Sequence, residues 1–416
     1  MREKLHVIRL GQRGEGMAEG ARGPVFVPYA LPGDTIIADV EGERGRLVEI
    51  LEPSADRIAA FCPHYGICGG CAVQALAPGA YAEWKLGLVA DALRHAKLEP
   101  RVGALVDAHG EGRRRATFHA RTRAKEVRVG FMRARAHEVV DLDSCPILAP
   151  GMTGALDAAH ALAEVLGGPL DISITATRTG LDIDIKGHGP LTAEETERLL
   201  AIAKKQDLAR ISNDRLCVIE RRAPLLKMGE ADVLPPPGAF LQATEAGEAA
   251  LAEKVCEALA QAKHIADLFA GIGTFTLRLA KTARVHAIDN DVAALAALTK
   301  AAANTIGLKP VTSEVRDLFR RPLVREELAR YDAVLFDPPR AGAQAQAQAL
   351  AASDIPLIVA VSCNPQSFAR DAALLAAAGY EIESVTPFDQ FRHSPHVESV
   401  GILRRNPKKL RRPLLG

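Results

Sequence analysis

Ile265-Ala266-Asp267-Leu268-Phe269-Ala270-Gly271-Ile272-Gly273-Thr274-Phe275-Thr276 decides the fold of this 416-residue chain. An apolar run ends in two closely spaced glycines, and a helical pattern then continues to Lys281. Glycines at 271 and 273 allow a tight turn that brings backbone close to a ligand above a first strand. A second run, Arg284-Val285-His286-Ala287-Ile288, closes on Asp289. A carboxylate there can accept hydrogen bonds from both hydroxyls of an adenosine ribose. Strand and helix signals alternate onward to residue 403, the pattern of a doubly wound sheet.

Two cofactor classes compete for such a turn. The dinucleotide pattern wants a third glycine three positions after Gly273, and that position is Thr276. S-adenosylmethionine fits better. It has no pyrophosphate, and its ammonium suits the carboxylate of Asp267 at the head of the loop.

Downstream, two further apolar runs end in reactive groups. Ala333-Val334-Leu335-Phe336 closes on Asp337-Pro338-Pro339-Arg340, and the run from Ile355 to Val361 closes on Ser362-Cys363-Asn364-Pro365. Open α/β sheets bind ligands at the carboxyl ends of their strands, so Cys363 is a candidate nucleophile. A small apolar core residue is the bland alternative for a lone cysteine. Asp-Pro-Pro resembles the corner of amino-methyltransferases, which place an aromatic residue next, whereas Arg340 follows here. Carbon 5 of a pyrimidine becomes nucleophilic once a thiolate has added to carbon 6, and a base must then remove the carbon-5 proton. Glu398, in His393-Ser394-Pro395-His396-Val397-Glu398-Ser399, is the candidate base, with His393 and His396 as alternatives.

Residues 1–55 read as short strands punctuated by glycine and proline: His6–Leu10, Val25–Val27, Thr35–Val40 and Arg46–Ile50. A small Greek-key barrel of the oligonucleotide-binding kind fits them. Residues 56–235 mix a cysteine-rich stretch, a helix from Tyr81 to Lys97 and β alternation over 113–140 and 170–186. Pro235-Pro236-Pro237-Gly238 marks a boundary, leaving 236–416 as a third domain. Cys62, Cys68 and Cys71 follow a C-x5-C-x2-C spacing, and Cys145 lies in Ser144-Cys145-Pro146. Four thiolates suit tetrahedral zinc or a 4Fe–4S cluster, and spacing alone does not choose. Cys217 and Cys256 have no companions and are expected in the core.

Net charge is only +1, but Arg113, Arg114, Arg115, Arg121, Arg123, Lys125, Arg128, Arg133 and Arg135 cluster against one acid, Glu126. Arg404, Arg405, Lys408, Lys409, Arg411 and Arg412 form a second basic group. Both can supply phosphate contacts to RNA. No apolar run is long enough to span a membrane and no signal sequence is evident, so a cytoplasmic protein is expected. A monomer is the expected state.

The motifs Asp267–Phe275, Phe336–Gly342, Ser362–Pro365 and His396–Glu398 occur in that order. Together they resemble the RNA 5-methyluridine methyltransferase family, particularly its ribosomal-RNA branch with an iron–sulfur cluster. The resemblance implies a Rossmann-like class I methyltransferase domain, an N-terminal oligonucleotide-binding (TRAM) barrel over 1–55 and a central α+β iron–sulfur domain. It implies Cys363 as nucleophile and Glu398 as base. Gln242, Phe269, Gly271, Gly273, Thr274, Asp289, Asp317 and Asp337 would contact S-adenosylmethionine, and Phe240, Gln242 and Asp337 the uracil. Cys62, Cys68, Cys71 and Cys145 would hold a 4Fe–4S cluster. The implied substrate is 23S ribosomal RNA; the alternatives are the same chemistry on transfer RNA, an RNA cytosine-5-methyltransferase, and a non-catalytic RNA-binding assembly factor. Thr244, Asp289 and Ala270 depart from the family's usual Asn, Glu and Cys.

Overall fold

The computed structural model describes residues 1–123 and 126–406. Lys125, Lys408, Lys409, Arg411 and Arg412 of the basic groups lie outside the described residues.

Five strands, β1 (Arg2–Leu10), β2 (Gly16–Gly20), β3 (Gly23–Val27), β4 (Thr35–Glu41) and β5 (Arg44–Glu52), close into a barrel in the order β1-β2-β3-β5-β4. Alternation along β1 and β4 sends Leu5, Val7, Ile36 and Ala38 inward to its core. Strand β2 departs from the sequence expectation, where its glycines read as turns. Gly16 is required by closeness, since a Cβ there would sit 2.6 Å from the Ala30 carbonyl oxygen.

After helix α1 (Pro78–His95) and the short strand β6 (Val106–Asp107) comes a seven-stranded sheet. Its strands are β7 (Arg115–Arg123), β8 (Glu126–Met132), β9 (Val139–Asp141), β10 (Leu170–Thr177), β11 (Gly180–Lys186), β12 (Arg210–Asn213) and β13 (Leu216–Glu220). Helices α2 (Ala155–Leu166) and α3 (Ala193–Lys205) pack with it in one core. Cys217, expected in the core, is exposed on β13. A hairpin of β14 (Leu226–Met228) and β15 (Ala231–Val233) follows.

The C-terminal portion runs α4 (Glu245–Ala258), β16 (His264–Leu268), α5 (Thr276–Leu279), β17 (Arg284–Asp289), α6 (Val292–Ala303), β18 (Val311–Val315), α7 (Arg325–Leu328), β19 (Ala333–Phe336), α8 (Gln344–Ala351), β20 (Leu357–Ser362), α9 (Pro365–Ala377), β21 (Tyr380–Asp389) and β22 (Glu398–Arg405). Its eight-stranded sheet has the order β18-β17-β16-β19-β20-β22-β21-β6. The first five strands are parallel, and β22 is antiparallel to both neighbours. Strands β19 and β20 are buried along their whole length, as parallel strands covered on both faces must be. Helix α5 spans one turn, shorter than the pattern to Lys281 suggests.

The stretch from 56 to 235 is divided between cores. Leu88, Val89, Ala92 and Leu93 of α1 pack with α9 and the large sheet, β6 forms that sheet's edge, and the β14–β15 hairpin packs on Ile272 and Leu277. The strand order reverses between β16 and β19, which opens a crevice at their carboxyl ends.

Candidate active site

The glycine loop leaves β16 into that crevice. Phe269, Gly271 and Gly273 all take positive φ (66°, 55° and 94°). A Cβ at Gly273 would lie 2.8 Å from Leu298 of α6, whereas at Gly271 it would meet open space. One glycine lets the loop pack and the other leaves room for a ligand. Asp289, at the end of β17, accepts hydrogen bonds from Gly271 N and Asp291 N, at 2.9 and 2.8 Å. Asp267 is fully buried; one oxygen takes the Thr276 hydroxyl at 2.5 Å and Oδ1 has no partner. Burial pushes its carboxyl up to about 7. An unpartnered carboxylate oxygen beside an open glycine turn fits a cationic nucleoside cofactor. Thr274 is half-buried on the same loop. Asp317 follows β18 and accepts from Phe319 N at 2.9 Å; the Phe319 ring stands 5.5 Å from that of Phe269.

Asp337 leaves β19, the neighbour of β16. Its carboxyl is held well above the usual carboxylate range by burial and then by the charges of Glu398 and Asp267. Cys363 follows β20 directly and precedes α9, whose N-cap is Asn364 with Pro365 next. A helix N-terminus favours a thiolate, as does Arg340, but burial and the charges of Glu398 and Asp337 push the Cys363 thiol up to about 12. Glu398 opens β22 and is 3% exposed, and burial pushes it up to about 7 against the hydrogen bond from Gln390. His393 and His396 are both pushed down to about 4, first by burial.

Gln242 is buried and accepts from Gln390 Nε2 at 2.7 Å, while the same nitrogen donates to Glu398 Oε2 at 2.9 Å. Phe240, two residues earlier, is 72% exposed, with the Arg115 guanidinium 5.8 Å from its ring centre. Thus Cys363, Glu398, Asp337 and Gln242 converge around one crevice with the glycine loop.

A buried clamp behind the site was not anticipated. Lys85 of α1, fully buried, donates to Asp389 Oδ1 at 2.8 Å and to the carbonyls of Phe391 and His396 at 3.2 and 2.6 Å. Tyr81 donates to Asp389 Oδ2 at 2.5 Å and accepts from His393 N at 3.0 Å. Ala72 N and Val73 N both donate to the His393 carbonyl. The segment leading into Glu398 is therefore tied to the cysteine stretch.

Cys62, Cys68, Cys71 and Cys145 line one small cavity of about 20 Å³ together with Tyr65, Phe131 and Leu142. Burial pushes Cys71 up to about 12 and Cys145 to about 11. Among the described residues, however, no group of three or more His, Cys, Asp or Glu is arranged to hold a metal ion. The expected ligand set is present as a shared pocket and not as a coordination geometry.

The basic cluster is more occupied than its sequence suggests. Arg114 is buried and pairs with Glu248, Arg135 pairs with Glu15, and Arg128 donates to Glu126 at 2.8 Å. Arg404 pairs with Glu383 at 2.7 Å.

Residues 235–406 match the family model described as tRNA (Uracil-5-)-methyltransferase. The chain is 31% identical to the 23S rRNA (uracil(1939)-C(5))-methyltransferase RlmD of Halomonas elongata, over 99% of this chain and 91% of that one. The chain belongs to the RNA uracil-5-methyltransferase family. As a member it is an S-adenosylmethionine-dependent RNA methyltransferase. An uncharacterized RNA methyltransferase of Rhizobium meliloti is 44% identical over 96% of this chain and 98% of its own length. Among solved structures, the Pyrococcus abyssi tRNA (uracil-54, C5)-methyltransferase in complex with S-adenosyl-L-homocysteine shares the fold, with a TM-score of 0.71. It is 23% identical and covers 97% of this chain and 100% of that one. Among the described residues, no helix is long and apolar enough to cross a membrane.

Proposed function

We propose that this RNA uracil-5-methyltransferase modifies a uridine of 23S ribosomal RNA through a covalent intermediate on Cys363. The carrying observation is the adjacency of Cys363 and Glu398 at the ends of paired strands, with Asp337 in the same field of charge. The Cys363 thiol gives its proton to solvent as its sulfur adds to uracil carbon 6, and the electron pair moves onto carbon 5 and oxygen 4. S-adenosylmethionine supplies the electrophilic methyl group that carbon 5 attacks. Glu398 then takes the carbon-5 proton, the carbon 5–carbon 6 double bond reforms, and the thiolate leaves. Asp337, whose carboxyl is pushed towards its neutral form by burial and then by the charges of Glu398 and Asp267, is suited to hydrogen-bond a uracil edge. Phe240 offers an exposed ring for a flipped base, and Gln242 a polar contact beside it.

In this reading Gln242, Phe269, Gly271, Gly273, Thr274, Asp289, Asp317 and Asp337 form the cofactor site. Cys62, Cys68, Cys71 and Cys145 would hold a 4Fe–4S cluster, which would order the stretch bonded to His393, and the β1–β5 barrel would act as a TRAM-type RNA-binding unit. Ribosomal RNA is favoured by the Halomonas elongata relative, which is matched along nearly the whole chain. Transfer RNA remains the second reading, favoured by the family description.

The test is methyl transfer from labelled S-adenosylmethionine to 23S ribosomal RNA and to transfer RNA, each lacking its uridine methylations. Label in 5-methyluridine of 23S RNA supports the proposal. Label in transfer RNA alone replaces it with the second reading, and label in 5-methylcytidine overturns the assigned base.

A further inference from the structure

Gln390 is fully buried one residue beyond β21. Its side-chain oxygen accepts from Ala243 N at 2.9 Å, and that donor fixes which end of the amide is oxygen. Both amide protons are then committed, one to Gln242 Oε1 at 2.7 Å and one to Glu398 Oε2 at 2.9 Å. Glu398 Oε1 accepts no protein hydrogen bond and Gln242 Nε2 donates none among the described residues, and neither is sealed away as a buried unpartnered atom. One amide thus immobilises two side chains and leaves each with one free polar atom.

We propose that Gln390 is a positioning residue that holds Glu398 and Gln242 in register, aiming Glu398 Oε1 at the carbon-5 proton. This rests on Glu398 being the base. The step stays balanced: the proton passes to Glu398 Oε1, and the carbon 5–hydrogen electron pair reforms the ring double bond as the Cys363 sulfur departs. Gln390 contributes an N–H that favours the ionised carboxylate, opposing the burial that drives Glu398 towards its neutral form. It also makes proton removal depend on Gln242, two residues from the exposed Phe240 ring. A base seated on Phe240 is thereby linked to the group that completes its methylation.

The experiment compares Gln390→Met, of similar length but without donors, and Gln390→Glu, which still accepts from Ala243 N. Melting curves and S-adenosylmethionine titration check that each variant is folded. Loss of one hydrogen bond to a charged group predicts a kcat about tenfold lower and an acid limb of the kcat–pH profile about one pH unit higher. KM for both substrates should move less than about twofold, and more protein–RNA adduct should survive denaturation at steady state. Gln390→Glu should move the acid limb further, because a second carboxylate faces Glu398. If Gln390→Met does not fold, the Glu variant carries the same comparison. Wild-type profiles and adduct levels in the folded variants overturn the inference, and so does unfolding of both. Glu398→Gln run alongside separates the two readings: normal turnover in it removes the base assignment, whereas trapped adduct there with wild-type Gln390 variants removes only the role of Gln390.

Discussion

Ser362 and Ser399 stand opposite one another across β20 and β22, and Cys363 and Glu398 are the next residues beyond that pair, near enough for the Glu398 charge to bear on the thiol. Two groups far apart in the chain are thus brought together by strand pairing. Cys363→Ala should lower turnover by roughly a thousandfold or more while S-adenosylmethionine binding, measured calorimetrically, is retained. Glu398→Gln should accumulate a protein–RNA adduct visible on a denaturing gel. Turnover at the wild-type rate in Cys363→Ala would remove the covalent route.

Burial raises the Glu398 carboxyl from 4.5 to about 7, so the folded state holds its proton more tightly than the unfolded chain does. Its contribution to stability is full below pH 4.5 and is lost as pH rises through about 7. Glu398→Gln mimics the protonated form. It should therefore be more stable than wild type at pH 8, by roughly 3 kcal/mol at most, with the gap closing towards pH 5. Paired melting curves at the two pH values measure this, and a gap that widens towards acid would contradict it. Activity should run the other way, rising as pH passes 7, because the base must be ionised to work.

The Lys85–Asp389 pair is buried on both sides. Lys85→Ala strands the Asp389 charge and should cost about 3–5 kcal/mol in denaturant unfolding. Adding Asp389→Asn should recover part of that loss; a double variant no better than the single would show that the carbonyl contacts, not the charge pair, carry the clamp.

For the cysteine pocket, protein purified without oxygen should be brown and contain iron and sulfide in equal amounts. Cys68→Ser should lose both, together with several degrees of melting temperature. Zinc in the wild-type protein, measured by elemental analysis, would replace the cluster with a tetrahedral site.

The catalytic sheet was legible because parallel strands covered on both faces read as unbroken apolar runs, and each reactive residue stands just past such a run. Asp337 and Cys363 are therefore assigned to the carboxyl edge of one sheet by the sequence alone. Strand β2 was hidden because Gly16 and Gly20 read as turns, while in the barrel Gly16 is demanded by the nearby Ala30 backbone. Lys85 left a faint signal: it shares a helix face with Leu88, Val89, Ala92 and Leu93, an improbable phase for a solvated lysine. Gln390 left none, since its role depends on Ala243, Gln242 and Glu398 meeting in space. Arg114 reads as one more charge in a basic run, and only its burial against Glu248 separates it from the surface.

The clamp on Asp389, Phe391 and His396 is built from helix α1, and the sheet's outermost strand is β6. A ribosome making this chain releases those parts hundreds of residues before their partners. Until α9 emerges the apolar face of α1 lacks its native partner, and Lys85 waits longer still, for β21 and the segment that leads into β22. Completion of that sheet edge must wait until β22 has been made, and a chain terminated before it would present unpartnered surface to chaperones or proteases.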